Sequence, residues 1–153
     1  MIQRIQTLYL LIAALLMGLM TWLPTARFEV GGEAFRLTAF GIESVACSAA
    51  AVAETSLWVR IWVILAGFLA WVAISLYKRR RAQMRLCMVE IGVLLALQVY
   101  VVLRLVQVGE QAAHQMQYLL PALFPVIAAI LTYLAYRTIR RDEALVRSID
   151  RVR

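Results

Sequence analysis

Lys78-Arg79-Arg80-Arg81, with Arg85 close behind, separates two long apolar runs of the chain. Cationic charge of that density beside segments of hydrocarbon length stays on the cytoplasmic side of a membrane. Once this loop is placed, every other segment is placed with it. The stretch therefore predicts a polytopic membrane protein, all-α in class, whose topology follows from charge.

Composition agrees. The chain has 153 residues, 63% of them hydrophobic, and its mean hydropathy is +0.79. Soluble domains run at about 45–50% apolar, and a soluble chain of this length has too little interior to hide the excess. The net charge is +7, with a pI near 10.1. That balance would suggest nucleic acid in a soluble protein. Here the cations flank apolar runs, so the bilayer and its anionic headgroups at the cytoplasmic face are the expected partners, and nucleic acid is not.

Four crossings are expected, at 7–23, 57–77, 86–108 and 118–136, each near the length that spans hydrocarbon as a helix. They leave an outer loop at 24–56, a basic cytoplasmic loop at 78–85 and a tail at 137–153. The first run has a positive flank, Arg4, but Pro24 stands where cleavage after Ala26 would need a small residue, so this helix is expected to be retained. In the outer loop, Phe28-Glu29-Val30 and Glu33-Ala34-Phe35-Arg36-Leu37-Thr38 flank Gly31-Gly32. Such arms around two glycines predict a short β-hairpin. A lone hairpin is marginal in water, so Phe28, Phe35 and Phe40 are expected to pack on the helix ends or the interface. The alanine-rich stretch from Ala46 to Ser56 reads as a helical lead-in to the second crossing. Pro121 falls in the first turn of the fourth crossing, where its missing N–H matters little. Pro125 is expected to kink that helix.

Charge sorts the segments. The N-terminal flank, the loop with Lys78, Arg79, Arg80, Arg81 and Arg85, and the tail are basic. The first loop sets Arg27 and Arg36 against Glu29, Glu33, Glu43 and Glu54, and the third loop carries Glu110 and His114. Both termini in the cytoplasm satisfy the positive-inside rule throughout, with the hairpin outside. The tail reads as a helix continuing from the fourth crossing, with Glu143 and Arg147 as an i,i+4 pair. Its basic face, with Arg140 and Arg141, suits either anionic headgroups or a cytosolic partner; the sequence favours the headgroups.

Few polar residues lie inside the crossings. Glu90, about one turn within the third, is either a proton or cation site or a partner of Arg85 or Arg81; the ion pair is the favoured reading. Gln98 is read as an amide joining two helices, or else as part of a polar path. Arg104 lies near the outer end and can snorkel. The first helix lacks the membrane-embedded Glu on which small multidrug transporters depend. Cys47 and Cys87 fall on opposite sides of the bilayer, which excludes an intrachain disulfide, and neither makes a CxxC pair. His114 stands alone. No catalytic, cofactor-binding or metal-ligating set is expected.

The opening Met1-Ile2-Gln3-Arg4-Ile5-Gln6-Thr7-Leu8-Tyr9-Leu10 resembles the start of an uncharacterised family of small integral membrane proteins from Bacteroidota, catalogued as a domain of unknown function. Three further stretches carry the likeness in the same order: Leu37-Thr38-Ala39-Phe40-Gly41-Ile42-Glu43, the basic turn, and Arg141-Asp142-Glu143-Ala144-Leu145-Val146-Arg147-Ser148-Ile149-Asp150-Arg151. The resemblance implies a four-helix protein of the bacterial inner membrane and supplies no catalytic residues. The expected fold is thus an antiparallel bundle of four transmembrane helices with an extracytoplasmic β-hairpin between the first two. The expected role is a non-enzymatic scaffold or accessory subunit, with a membrane-protein partner or a second copy. The alternative is a minimal oligomeric transporter or channel using Glu90 and Gln98.

Overall fold

A computed structural model describes residues 3–30, 32–39, 41–45, 57–76, 79–111 and 116–150. Phe40, Cys47, the lead-in at 46–56, Tyr77, Lys78 and His114 lie outside the described residues, as does the side chain of Arg147. In chain order the elements are α1 (Gln3–Trp22), β1 (Ala26–Val30), β2 (Glu33–Thr38), β3 (Gly41–Ser44), α2 (Leu57–Ser75), α3 (Arg80–Gln111), β4 (Met116–Tyr118) and α4 (Phe124–Asp150). The four helices are long and apolar enough to cross a membrane.

Spacing explains why these helices pack. Buried positions recur every three or four residues: Gln6, Leu10, Ala13, Met17 and Met20 on α1, and Val63, Ala66, Ala70 and Ala73 on α2. On α3 the seam runs Gln83, Cys87, Glu90, Leu94, Leu97, Val101, Leu105 and Val108. Such spacing puts one stripe of each helix against its neighbours. α1 packs on α2 and α4, and α3 packs on the same two. Small residues set the close approach of α2: a Cβ added at Gly67 would sit 3.7 Å from Met17 Cβ. The opposite faces carry Leu11, Leu15, Leu19, Ile61, Phe68, Trp71, Val99 and Ile130, all exposed. An apolar surface of that extent is of the kind that meets lipid or another apolar surface.

The chain is mostly helical, as expected, and the expected hairpin belongs to a larger sheet. β1 and β2 form the predicted hairpin, with Val30 opposite Glu33 across the glycines. Gly32 adopts φ +85°, a conformation that an L side chain resists. The hairpin is not alone, however: β3 and β4 extend it to a four-stranded antiparallel sheet in the order β3-β2-β1-β4. A hairpin left isolated would have little core; the extra strands pair both of its outer edges, and the helix ends cover one face. One face carries Phe28 and Phe35, stacked at 5.6 Å, with Ala26 and Leu37 buried in the main core. The other face carries Arg27, Glu29 and Arg36, exposed, and Arg36 Nε lies 2.8 Å from Glu43 Oε2. Thr25 ties the sheet to the helices: its N–H donates to Leu37 O, and its own carbonyl accepts from Leu119 N–H.

Two boundaries also differ from expectation. α3 begins at Arg80, inside the stretch read as a loop, because arginine is a good helix former and the turn is closed at once by Arg79 N donating to Leu76 O at 2.9 Å. The fourth apolar run opens with β4 and a 3₁₀ turn over Leu120–Leu123, so α4 starts only at Phe124. Pro125 is then in the first turn, where no hydrogen bond is lost, rather than at an interior kink. α4 continues through the tail to Asp150, as the spacing of its apolar residues predicts.

Candidate functional site

The interior divides into two apolar clusters. The larger, towards the sheet, includes Ala13, Met17, Met20, Leu94, Leu97, Val101 and Ala128. The smaller, towards the arginines, consists of Leu10, Ala73, Cys87, Ala135 and Ile139. Glu90 falls between Cys87 and Leu94 on the α3 seam, and Thr132 falls between Ala129 and Ala135 on α4. These two residues therefore make a polar layer between apolar clusters. Glu90 is 1% exposed and Thr132 fully buried. The Thr132 hydroxyl donates to Glu90 Oε1 at 3.3 Å. Glu90 Oε2 is buried with no hydrogen-bond partner among the described residues.

The favoured pairing of Glu90 with Arg81 or Arg85 is not what the structure has. Arg81 Nε instead lies 3.3 Å from Glu143 Oε1 on α4, and Arg85 is exposed. The reason is helical phase. Glu90 follows Gln83 and Cys87 on the inward seam, whereas Arg81 and Arg85 belong to the outward face. Gln98 carries a buried Oε1 without a hydrogen-bond partner among the described residues. It lies eight residues beyond Glu90, about 12 Å along the axis, so the two are separate features and not one site.

The arginine-rich end is held by side-chain links between helices. Gln6 Nε2 on α1 donates to Asp142 Oδ2 on α4, beside the contact of Arg81 with Glu143. Asp142 and Glu143 of α4 thus meet the N-terminal ends of other helices, where negative charge offsets the helix dipole and the crowded cations of α3. Around them Arg79, Arg85, Arg137, Arg140 and Arg141 are exposed and Arg80 is half-buried. This is a cationic surface in which Asp142 and Glu143 are both engaged. Ser75 donates to Trp71 O within its own helix.

Gln6, Gln83 and Asp142 were not singled out by sequence reasoning. Two of them carried a signal: Gln6 precedes Leu10, Ala13 and Met17, and Gln83 precedes Cys87 and Glu90, in the spacing that marks an inward face. Among the described residues no cluster of three His, Cys, Asp or Glu side chains suits a metal ion. Chemically, the layer offers one carboxyl with one oxygen held by a hydroxyl and the other open to a proton, a cation or a water molecule.

No match to a curated protein was found for this chain. Residues 2–152 match a family model, and over nearly its whole length the chain belongs to the family described as domain of unknown function DUF4293.

Proposed function

We propose that this protein is a four-helix integral membrane protein of the bacterial inner membrane, an antiparallel bundle with both termini cytoplasmic and the sheet outside. It acts as a non-enzymatic scaffold or accessory subunit of a larger membrane assembly. One observation carries the reading: the seams between the helices are closed by packed side chains. Leu10, Met17, Met20, Ala66, Ala70, Leu94, Leu97 and Ala135 are at most 1% exposed. Interiors packed to that density conduct nothing without rearrangement. What the molecule offers to others lies at its ends: exposed arginines on one, and the polar face of a sheet on the other. The arginines suit anionic headgroups, each worth about 1 kcal/mol near a charged surface, or an acidic face of a partner.

Affinity purification in a mild detergent, followed by mass spectrometry, tests the proposal. A stoichiometric membrane-protein partner is the expected result. A pure homo-oligomer would contradict it and favour the second reading, a minimal oligomeric transporter or channel. That reading draws on Glu90 Oε2 and Gln98 Oε1, two buried acceptors without partners among the described residues, since intramembrane polar groups often mark ion paths. Ion flux into proteoliposomes, abolished by Glu90→Gln while thermal stability holds, would establish it.

A further inference from the structure

The face of the sheet turned away from the helices floors a hollow of about 650 Å³, within the range of small-molecule sites. Strand register fixes what lines it. One row across the sheet, in the order β3-β2-β1-β4, reads Glu43, Arg36, Arg27 and Gln117. The next row, towards the hairpin turn, reads Val45, Ala34 and Glu29, with Val45 N–H donating to Ala34 O at 2.8 Å. All of these but Glu43 border the hollow.

Arg36 is committed to Glu43, its Nε 2.8 Å from Oε2. Arg27, Glu29 and Gln117 are exposed and make no hydrogen bond or ion pair with the described residues. Arg27 stands directly opposite Arg36, an unfavourable like-charge pair. An anion between Arg27 and Gln117 relieves it and gains a charge-assisted contact. Glu29, two residues along β1 on the same face, is about 7 Å away at the strand rise and suits a cation. A lone phosphate fits poorly, because Glu29 and Glu43 balance the two arginines. A lipid headgroup fits poorly too, because this face turns away from the helix ends. What answers both charges is a zwitterion with its ends about 7 Å apart. Two extended residues span at most about 7 Å, whereas the charges of a single amino acid sit on one carbon. Beside Glu29, Ala34 leaves room and Val45 adds an apolar surface for a side chain.

We propose that the outer face of the sheet binds a zwitterionic peptide of dipeptide length, its terminal carboxylate between Arg27 and Gln117, its ammonium on Glu29 and its first side chain over Ala34 and Val45. The site belongs to the sheet alone and is independent of the scaffold role. In the proposed topology the hollow opens to the outer compartment.

Isothermal titration calorimetry of the full chain in detergent tests the site, with leucylglycine as the probe. Saturable binding at about millimolar affinity or tighter is expected. Amidation or N-acetylation of the probe should each weaken it about tenfold, by loss of one charge-assisted contact, and free leucine should bind more weakly than leucylglycine. Arg27→Gln should erase the preference for the probe over its amide, and Glu29→Gln the preference over its N-acetyl form, while each variant keeps the other preference. Both positions are exposed, so both variants should fold, which thermal melting checks. Ala34→Trp should lower binding with the charges intact, and Arg141→Gln should leave it unchanged. No saturable binding of leucylglycine, or equal affinity for the probe, its amide and its N-acetyl form, would overturn the site. So would inorganic phosphate bound as tightly as leucylglycine. Binding confined to a tripeptide with blocked ends and charged side chains would overturn it as well, and would make a segment of a partner protein the occupant.

Discussion

The two ends of this molecule are closed by different means. At the sheet end, backbone hydrogen bonds do the work: a four-stranded sheet covers the helix ends, and Ala26, Phe28 and Leu37 extend the large apolar cluster. At the arginine-rich end the described residues form no sheet. Three helices are joined there by side chains, Gln6 to Asp142 and Arg81 to Glu143, over a cluster of five buried apolar residues. A backbone sheet is insensitive to most single substitutions, because its bonds belong to no one side chain. A side-chain clasp depends on each member. The difference predicts a molecule whose core strength lies towards the sheet and whose tunable contacts lie towards the arginines.

Truncation of the core should show the largest effect. Leu97→Ala, in the larger cluster and 1% exposed, should destabilise by about 2–5 kcal/mol, because dense packing there leaves a cavity. Leu10→Ala, in the small cluster beside polar groups, should fall at the low end of that range, since the end can relax around the gap. Unfolding titrations in mixed micelles compare the two; a larger loss for Leu10→Ala would break the comparison.

The polar layer comes next. Thr132→Val removes the one described donor to Glu90 and should cost about 1–3 kcal/mol, the penalty of a buried polar group left unpaired. Glu90→Gln keeps an acceptor for the hydroxyl and should stay within about 1 kcal/mol of the wild type. The double change Glu90→Leu with Thr132→Val should recover most of the loss, because it removes both partners together. A double as unstable as Thr132→Val alone would mean that Glu90 is held by something other than this bond.

Smaller effects should test each closure. Gly32→Val should cost about 1–2 kcal/mol, as a β-branched residue is forced to positive φ, whereas Gly32→Asn should cost little. Nothing lies within 4 Å of an added Cβ there, so the difference is conformational and not steric. Hydrogen exchange of the hairpin amides reads it out; equal protection in both variants would contradict it. Last, Arg81→Gln should cost no more than about 1 kcal/mol and become silent in high salt, because its side chain is mostly exposed and the pair is screened. A strong coupling between Arg81→Gln and Glu90→Gln in a double-mutant cycle would revive the pairing that the helical phase disfavours.

Hydropathy and charge made the four helices legible, and Gly31-Gly32 made the first hairpin legible. β4 was not. Met116-Gln117-Tyr118 is three residues long and pairs with β1 across most of the chain, and no local preference encodes a contact at that separation. The start of α3 was hidden because hydropathy marks where lipid begins and not where a helix does, and Arg80 can be helical in either setting. The candidate site was half visible. Glu90 stood out as a carboxyl in an apolar run, but its partner was sought among residues near in sequence. Thr132 lies on another helix, and only the phase of both seams brings them together. The same phase, followed from Met17 back to Gln6, would have exposed part of the clasp at the arginine-rich end.

The central claim is that the arginine-rich end faces the cytoplasm and the sheet faces outward across four crossings. Single cysteines, placed in a background with Cys47 and Cys87 replaced by alanine, test it most directly. In sealed cells an impermeant thiol reagent should label probes at Glu33 and Gln117, two exposed positions on β2 and β4, and should miss probes at Arg80 and Arg140 until the membrane is opened. Labelling at Arg80 or Arg140 from outside, or protection of only one of the two sheet probes, would contradict the account.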